Sequence, residues 1–155
     1  MAVKKYSLLD YTVTLGIDGT SESIALGGKG SFLGSISVER DTPNITKTVD
    51  ATGSGVYAFS ADNSGTITFN LTYISNAANE IMNKLVGKYH ATNVNAWKDN
   101  SSLTITIMKD DSPVIVAKHC MFAGLDSLEL GPEVPTRNYP FLAMEISEVN
   151  TDLNN

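Results

Sequence analysis

Several stretches of this chain alternate apolar and polar residues at a period of two, and no other feature restricts the fold as much. In residues 65–73, "GTITFNLTY", the residues Ile67, Phe69, Leu71 and Tyr73 fall on one side and Thr66, Thr68, Asn70 and Thr72 on the other. Successive side chains of extended backbone leave opposite faces, so this pattern marks a strand with one face buried. The same alternation puts Tyr11, Val13, Leu15 and Ile17 on one face of 6–17, Phe32, Gly34, Ile36 and Val38 on one face of 31–40, and Leu103, Ile105 and Ile107 on one face of 102–108. In 140–149 it assigns Leu142, Met144 and Ile146 inward and Ala143, Glu145 and Ser147 outward. "KDDSP" (109–113) turns the strand 102–108 into "VIVAKH" (114–119) as a hairpin.

One segment has helical spacing instead. Ala78, Ile81, Met82 and Leu85 recur at i, i+3, i+4 and i+7, with Ser75 or Asn76 as N-cap and Gly87 as terminator, so a helix is expected over 76–86. Its opposite side shows Asn79, Glu80, Asn83 and Lys84 outward. Residues 41–63 are rich in turn formers yet hold the extended run "ITKTV" and the apolar residues Val56, Tyr57 and Phe59. An excursion of that length reads as a long protruding hairpin arm. The expected fold is mainly β: a single domain over 1–155, built as a β-barrel or split β-sandwich with one packed α-helix.

Composition excludes several function classes. At 155 residues one core is the economical reading. Net charge −6 argues against a protein that grips nucleic acid by neutralising phosphates. No run approaches the roughly 18 apolar residues of a membrane helix, and "YSLLDYTVTLG" after Lys4-Lys5 is too polar for a signal peptide, so no membrane partner and cytoplasmic synthesis are expected. The lone Cys120 excludes an internal disulfide, and beside Met121 and Phe122 it reads as a small core residue rather than a reactive thiol.

Catalytic chemistry is sparse, and no enzyme activity, cofactor or metal is expected. His119 and Cys120 are neighbours in a strand, so they point to opposite faces and do not form a nucleophile–base pair. With His90 they lack metal-ligand spacing. Asp50, Asp110 and Asp111 sit in turns, where aspartate serves the backbone. "GGKGS" (27–31) departs from a phosphate loop, because Gly30 follows Lys29 where Ser or Thr is needed.

Residues 46–85 carry a more specific pattern. The turn "ATGSG" (51–55) leads into the strand Ser64-Gly65-Thr66-Ile67-Thr68, which ends at Ile74-Ser75 before Asn76 to Asn79 open the helix. This run resembles the tail tube proteins of contractile-tailed (myovirus-type) bacteriophages, related in fold to type VI secretion tube proteins. "YSLLDYTVTL" looks like their first strand and the segment from Phe141 like their closing strand; Thr52 stands where the family's turn usually has Asp, and 119–140 has no counterpart. The resemblance implies a virion protein, made in the host bacterial cytoplasm, that forms hexameric rings stacked head to tail into the inner tube of a contractile tail. Its implied partners are itself, the tail sheath protein, and tape-measure and baseplate or terminator proteins, with the genome passing through the lumen without specific binding.

On that implication the outward strand residues Ser35, Ser37, Glu39, Thr66, Thr68, Asn70, Thr72, Glu145 and Ser147 face the lumen, since they are short, wet and neutral to acidic. Threonine is also simply favoured in exposed strands. Ile45, Val49, Val56, Tyr57 and Phe59 of the arm then meet a neighbouring subunit, and Asn79, Glu80, Asn83 and Lys84 turn toward the sheath. The competing reading is a β-rich receptor- or carbohydrate-binding module of a phage or secretion apparatus, for which Trp97, Tyr89 and Tyr139 are the candidate contact aromatics.

Overall fold

A computed structural model describes residues 3–17, 23–27, 33–72, 103–110, 112–124 and 127–148. The expected helix at 76–86, with Asn79, Glu80, Asn83 and Lys84, lies outside the described residues, as do Tyr89, His90 and Trp97. Among the described residues the only helical element is a 3-10 turn, Leu8–Asp10, whose N-cap Ser7 accepts a hydrogen bond from the Leu9 N–H.

The strands are β1 (Tyr11–Ile17), β2 (Ser23–Gly27), β3 (Leu33–Arg40), β4 (Ile45–Val49), β5 (Gly55–Phe59), β6 (Gly65–Thr72), β7 (Leu103–Lys109), β8 (Ser112–Phe122), β9 (Thr136–Ala143) and β10 (Glu145–Glu148). Eight form one antiparallel sheet in the order β2-β1-β7-β8-β9-β6-β3, with β10 also on β8; β4 and β5 pair with each other in a separate two-stranded sheet. The alternation holds where it is cleanest. Val13 and Leu15, Ile67, Phe69 and Leu71, and Leu103, Ile105 and Ile107 are all buried. They pack around an aromatic cluster in which Phe69 meets Phe141 edge-on at 5.5 Å and Phe122 lies 5.3 Å from Phe141.

The mainly β expectation is met, but among the described residues the sheet does not close into a barrel. Its end strands are β2 and β3, and β3 faces the β7–β8 hairpin across an open apolar groove of about 490 Å³, lined by Tyr6, Tyr11, Ile36, Val38, Ile107 and Ile115 among others. β2 lies in a segment where the alternation marks no strand, yet it pairs with β1 over Thr12 to Gly16.

The assignment for 140–149 needs correcting. Tyr139, Phe141 and Ala143 are the buried residues of β9, while Leu142 and Met144 are 55% and 72% exposed. Alternation fails here because both partners invert it together. Lys118 and His119 are consecutive exposed residues in β8, and so are Met144 and Glu145 opposite them, with Ala117, Cys120, Ala143 and Ile146 buried on either side. His119 has φ +55°, a local excursion out of extended geometry. A paired bulge of this kind keeps both faces matched while β9–β10 runs on along β8, and it leaves no mark in the residue types.

Candidate assembly surfaces

Seven of the nine outward strand residues come together on one face. In the β3–β6 pair Ser35 stands opposite Asn70, Ser37 opposite Thr68 and Glu39 opposite Thr66, with Thr72 beyond them on β6. β9 extends the face with residues the sequence reading missed: Thr136, Asn138, Pro140 and Leu142 stand opposite Thr72, Asn70, Thr68 and Thr66. The Asn70 amide donates to Asn138 Oδ1 at 2.9 Å, tying the two strands across this face. The buried alternation Tyr139, Phe141, Ala143 was the available clue to β9, and the count from Ile146 through Met144 and Leu142 gave the strand the opposite parity. Among the described residues of β3, β6 and β9 this face carries Glu39 and no lysine or arginine, since Arg40 and Arg137 have the parity of the core side.

Glu145 and Ser147 lie elsewhere. They pair with Lys118 and Val116 in the section of β8 that also carries β7, so they do not join the other seven. The outward set therefore divides, for the same reason that the inward set of 140–149 was misread.

β4 and β5 expose all ten of their residues. Ile45 pairs with Phe59, Lys47 with Tyr57 and Val49 with Gly55, which collects Ile45, Val49, Tyr57 and Phe59 on one side of the ribbon; Thr46, Thr48, Val56 and Ala58 take the other. Phe59 is 78% exposed and Tyr57 67%.

Both ends of this hairpin are organised by a carboxylate. At the tip Asp50 Oδ1 accepts from the Thr52 hydroxyl at 2.6 Å, the Thr52 N–H at 2.9 Å and the Ser54 N–H at 3.0 Å, while Gly53 takes φ +90°, which only glycine adopts freely. The turn's aspartate thus lies two residues before Thr52. At the root Asp62 accepts from the Ser64 hydroxyl and N–H and from the Thr42 hydroxyl. The Thr52 hydroxyl first, then its N–H, holds the Asp50 carboxyl below the ordinary 3.8. The Ser64 hydroxyl first, then its N–H and the Thr42 hydroxyl, does the same for Asp62.

A carboxylate depressed on folding adds to stability above its unfolded pKa and loses that contribution as pH falls through its folded pKa. The order of tip and root is therefore expected to persist through neutral pH and fade only below 3.8. Amide chemical shifts of Thr52 and Ser64 followed by NMR should titrate with midpoints under that value; midpoints at or above it would contradict the hydrogen-bonded geometry.

Among the described residues His119 and Cys120 are not brought together. His119 is exposed and the Cys120 thiol is buried, on opposite faces of β8. Among the described residues no group of three or more His, Cys, Asp or Glu is placed to hold a metal ion. Tyr139, a candidate contact aromatic for a binding module, is instead fully buried in the core, where it packs beside Phe122 at 6.3 Å.

Comparison with known proteins brings these surfaces into one frame. No curated protein sequence matches. Solved structures match in fold over nearly the whole chain. The anti-feeding prophage cap, a tube-terminating cap, aligns with TM-score 0.60 and 14% identity, covering 97% of this chain and 95% of that one. The sheath/tube terminator of the PVC extracellular contractile injection system, in its extended state, aligns with TM-score 0.61 and 12% identity, covering 97% and 100%. The sheath–tube complex of the same system gives TM-score 0.56 and 14% identity, covering 94% and 93%. The family model described as bacteriophage PhiTE tail tube protein matches residues 3–149, and this chain belongs to that family.

Proposed function

We propose that this protein is a structural, non-enzymatic subunit that assembles with copies of itself into stacked hexameric rings, forming the inner tube of a contractile tail through which the genome leaves. The observation that carries the reading is the face shared by β3, β6 and β9, broad, hydroxyl- and amide-rich and without cations among its described residues. A conduit for DNA needs such a surface, because each lysine or arginine on it would hold phosphate and release counterions. β2 and β3, whose outer edges have no partner strand among the described residues, support a ring in which neighbouring subunits complete each other's sheet, since an exposed edge otherwise invites uncontrolled pairing. Structural likeness to a sheath–tube complex and to terminators supports a sheath and a terminator as partners.

Negative-stain microscopy of the purified protein over rising concentration, beside its sedimentation profile, tests the proposal. Rings or hollow filaments are the expected result; a monomer at every concentration, with partner tail proteins supplied, would overturn it. In filaments, Thr68→Lys is expected to raise affinity for short duplex DNA about ten-fold at low salt, a gain that salt then erases. Unchanged affinity would mean that the β3–β6–β9 face does not line the bore.

A further inference from the structure

β3, β4, β5 and β6 form one long two-stranded ribbon interrupted by a joint. Arg40 stands opposite Gly65 on one side of the joint and Ile45 opposite Phe59 on the other, so residues 60–64 are one residue longer than 41–44 and the register slips across it. Backbone pairing nearly vanishes there. The Asp41 N–H donates to the Ser64 carbonyl at 3.1 Å and the Ser60 N–H to the Asn44 carbonyl at 2.8 Å, and side chains fill the gap between them.

Arg40 is where the separate strands of this joint meet the rest of the sheet. Its Nη1 donates to Asn44 Oδ1 at 3.4 Å and Asn63 Oδ1 at 3.2 Å, and its Nη2 donates to the Ile146 carbonyl of β10 at 3.2 Å. The Asn44 amide also donates to Asn63 Oδ1, at 2.9 Å. β10 grips the joint a second time, through the Ile146 N–H donating to the Asn63 carbonyl at 2.9 Å.

We propose that this joint is a latch that fixes the direction of the β4–β5 hairpin in the free subunit, with Arg40 as its positioning residue. The Thr42–Asp62 and Ser64–Asp41 bonds cross the same joint, and outside it the hairpin strands supply no orientation among the described residues, because all ten of their residues are exposed and they pair only with each other. A lone two-stranded ribbon is marginal in water. A planar guanidinium fork with acceptors on both sides of the joint and on β10 is suited to hold an angle, which a lysine with one mobile ammonium does less well. These bonds are mostly exposed, so their loss costs the fold little. Orientation and stability are thereby separable.

Spin labels at Ala51→Cys, near the hairpin tip, and Thr12→Cys, on β1, report the angle by pulsed electron spin resonance, with labelled subunits diluted in unlabelled protein. One narrow distance distribution is expected. Arg40→Met should broaden it about two-fold or more, and Arg40→Lys to an intermediate degree, while the melting temperature stays within a few degrees. An Arg40→Met distribution as narrow as the parent's would overturn the latch. Should that variant not fold, Asn63→Ala, which removes the shared acceptor, decides on the same two criteria. The latch goes beyond the tube reading and does not depend on it. A broadened hairpin in a variant that still forms normal tubes would leave the latch standing and remove the hairpin from assembly; lost tubes with an unbroadened hairpin would do the reverse.

Discussion

Replacing Gly65 by valine is expected to lower the subunit's melting temperature by about 10 °C, since an overpacked site of this kind costs about 3 kcal/mol and a chain of this size loses about 2–4 °C per kcal/mol. Gly65 opens β6 between Arg40 of β3 and Ala143 of β9. A Cβ there would strike the Glu39 carbonyl oxygen and come within 2.6 Å of Ile146 Cδ1. Neither obstacle yields easily. The carbonyl belongs to the β3 backbone, and Ile146 is buried at the point where β10 meets the hairpin root. Thr66→Val, one residue on but on the open face, is expected to change stability by less than about 0.5 kcal/mol. Calorimetry on the two variants checks the contrast. A Gly65→Val protein melting within roughly 2 °C of the parent would mean that the corner of β3, β6 and β10 is not packed as described.

Much of this corner was invisible in the sequence, and the reasons are physical. Where one face of a strand is buried for its whole length, composition records it: Ile67, Phe69 and Leu71, or Leu103, Ile105 and Ile107, could be placed inward from spacing alone. β9 and β10 defeat that reading because the inversion at His119 and Met144 costs one residue on each partner, and neither histidine nor methionine announces it. Leu142 looked inward by counting from Ile146, yet it lies on the open face opposite Thr66. The hydroxyl-rich face was legible on β3 and β6, where each outward residue alternates with a packed one. Its third strand was given the opposite parity, and Glu145 and Ser147 were added to the face, because the count ran through the bulge. Turn formers mark 41–63 as an excursion, and within it β4 and β5 pair as a separate two-stranded sheet. What holds the root of this hairpin was not legible, because Arg40, Asn44, Asn63 and Ile146 are far apart in the chain and none is unusual by itself.

On the proposed reading, the double variant Tyr57→Asp, Phe59→Asp is expected to abolish filaments at concentrations where the parent assembles, and to leave the melting temperature of the subunit unchanged. Both rings are mostly exposed and outside the described core cluster, so the isolated subunit loses little burial with them. In a tube they would be the largest apolar groups the hairpin offers a neighbour. Burying an aromatic side chain is worth about 1.5–3 kcal/mol, so losing two should raise the concentration needed for assembly by about 100-fold or more. The two faces of the ribbon make the test specific. Tyr57 and Phe59 share a side with Ile45 and Val49, while Thr46 and Thr48 share the other with Val56 and Ala58. If side-chain burial drives docking, Thr46→Asp should disturb assembly far less than Phe59→Asp. Equal losses from both would point instead to docking by backbone pairing, in which the ribbon adds its edge to a neighbouring sheet and a charge on either face disturbs the fit. Filaments that form normally from the double variant would remove the hairpin from the assembly contacts altogether, leaving the outer edges of β2 and β3, at the two ends of the described sheet, to hold the rings together.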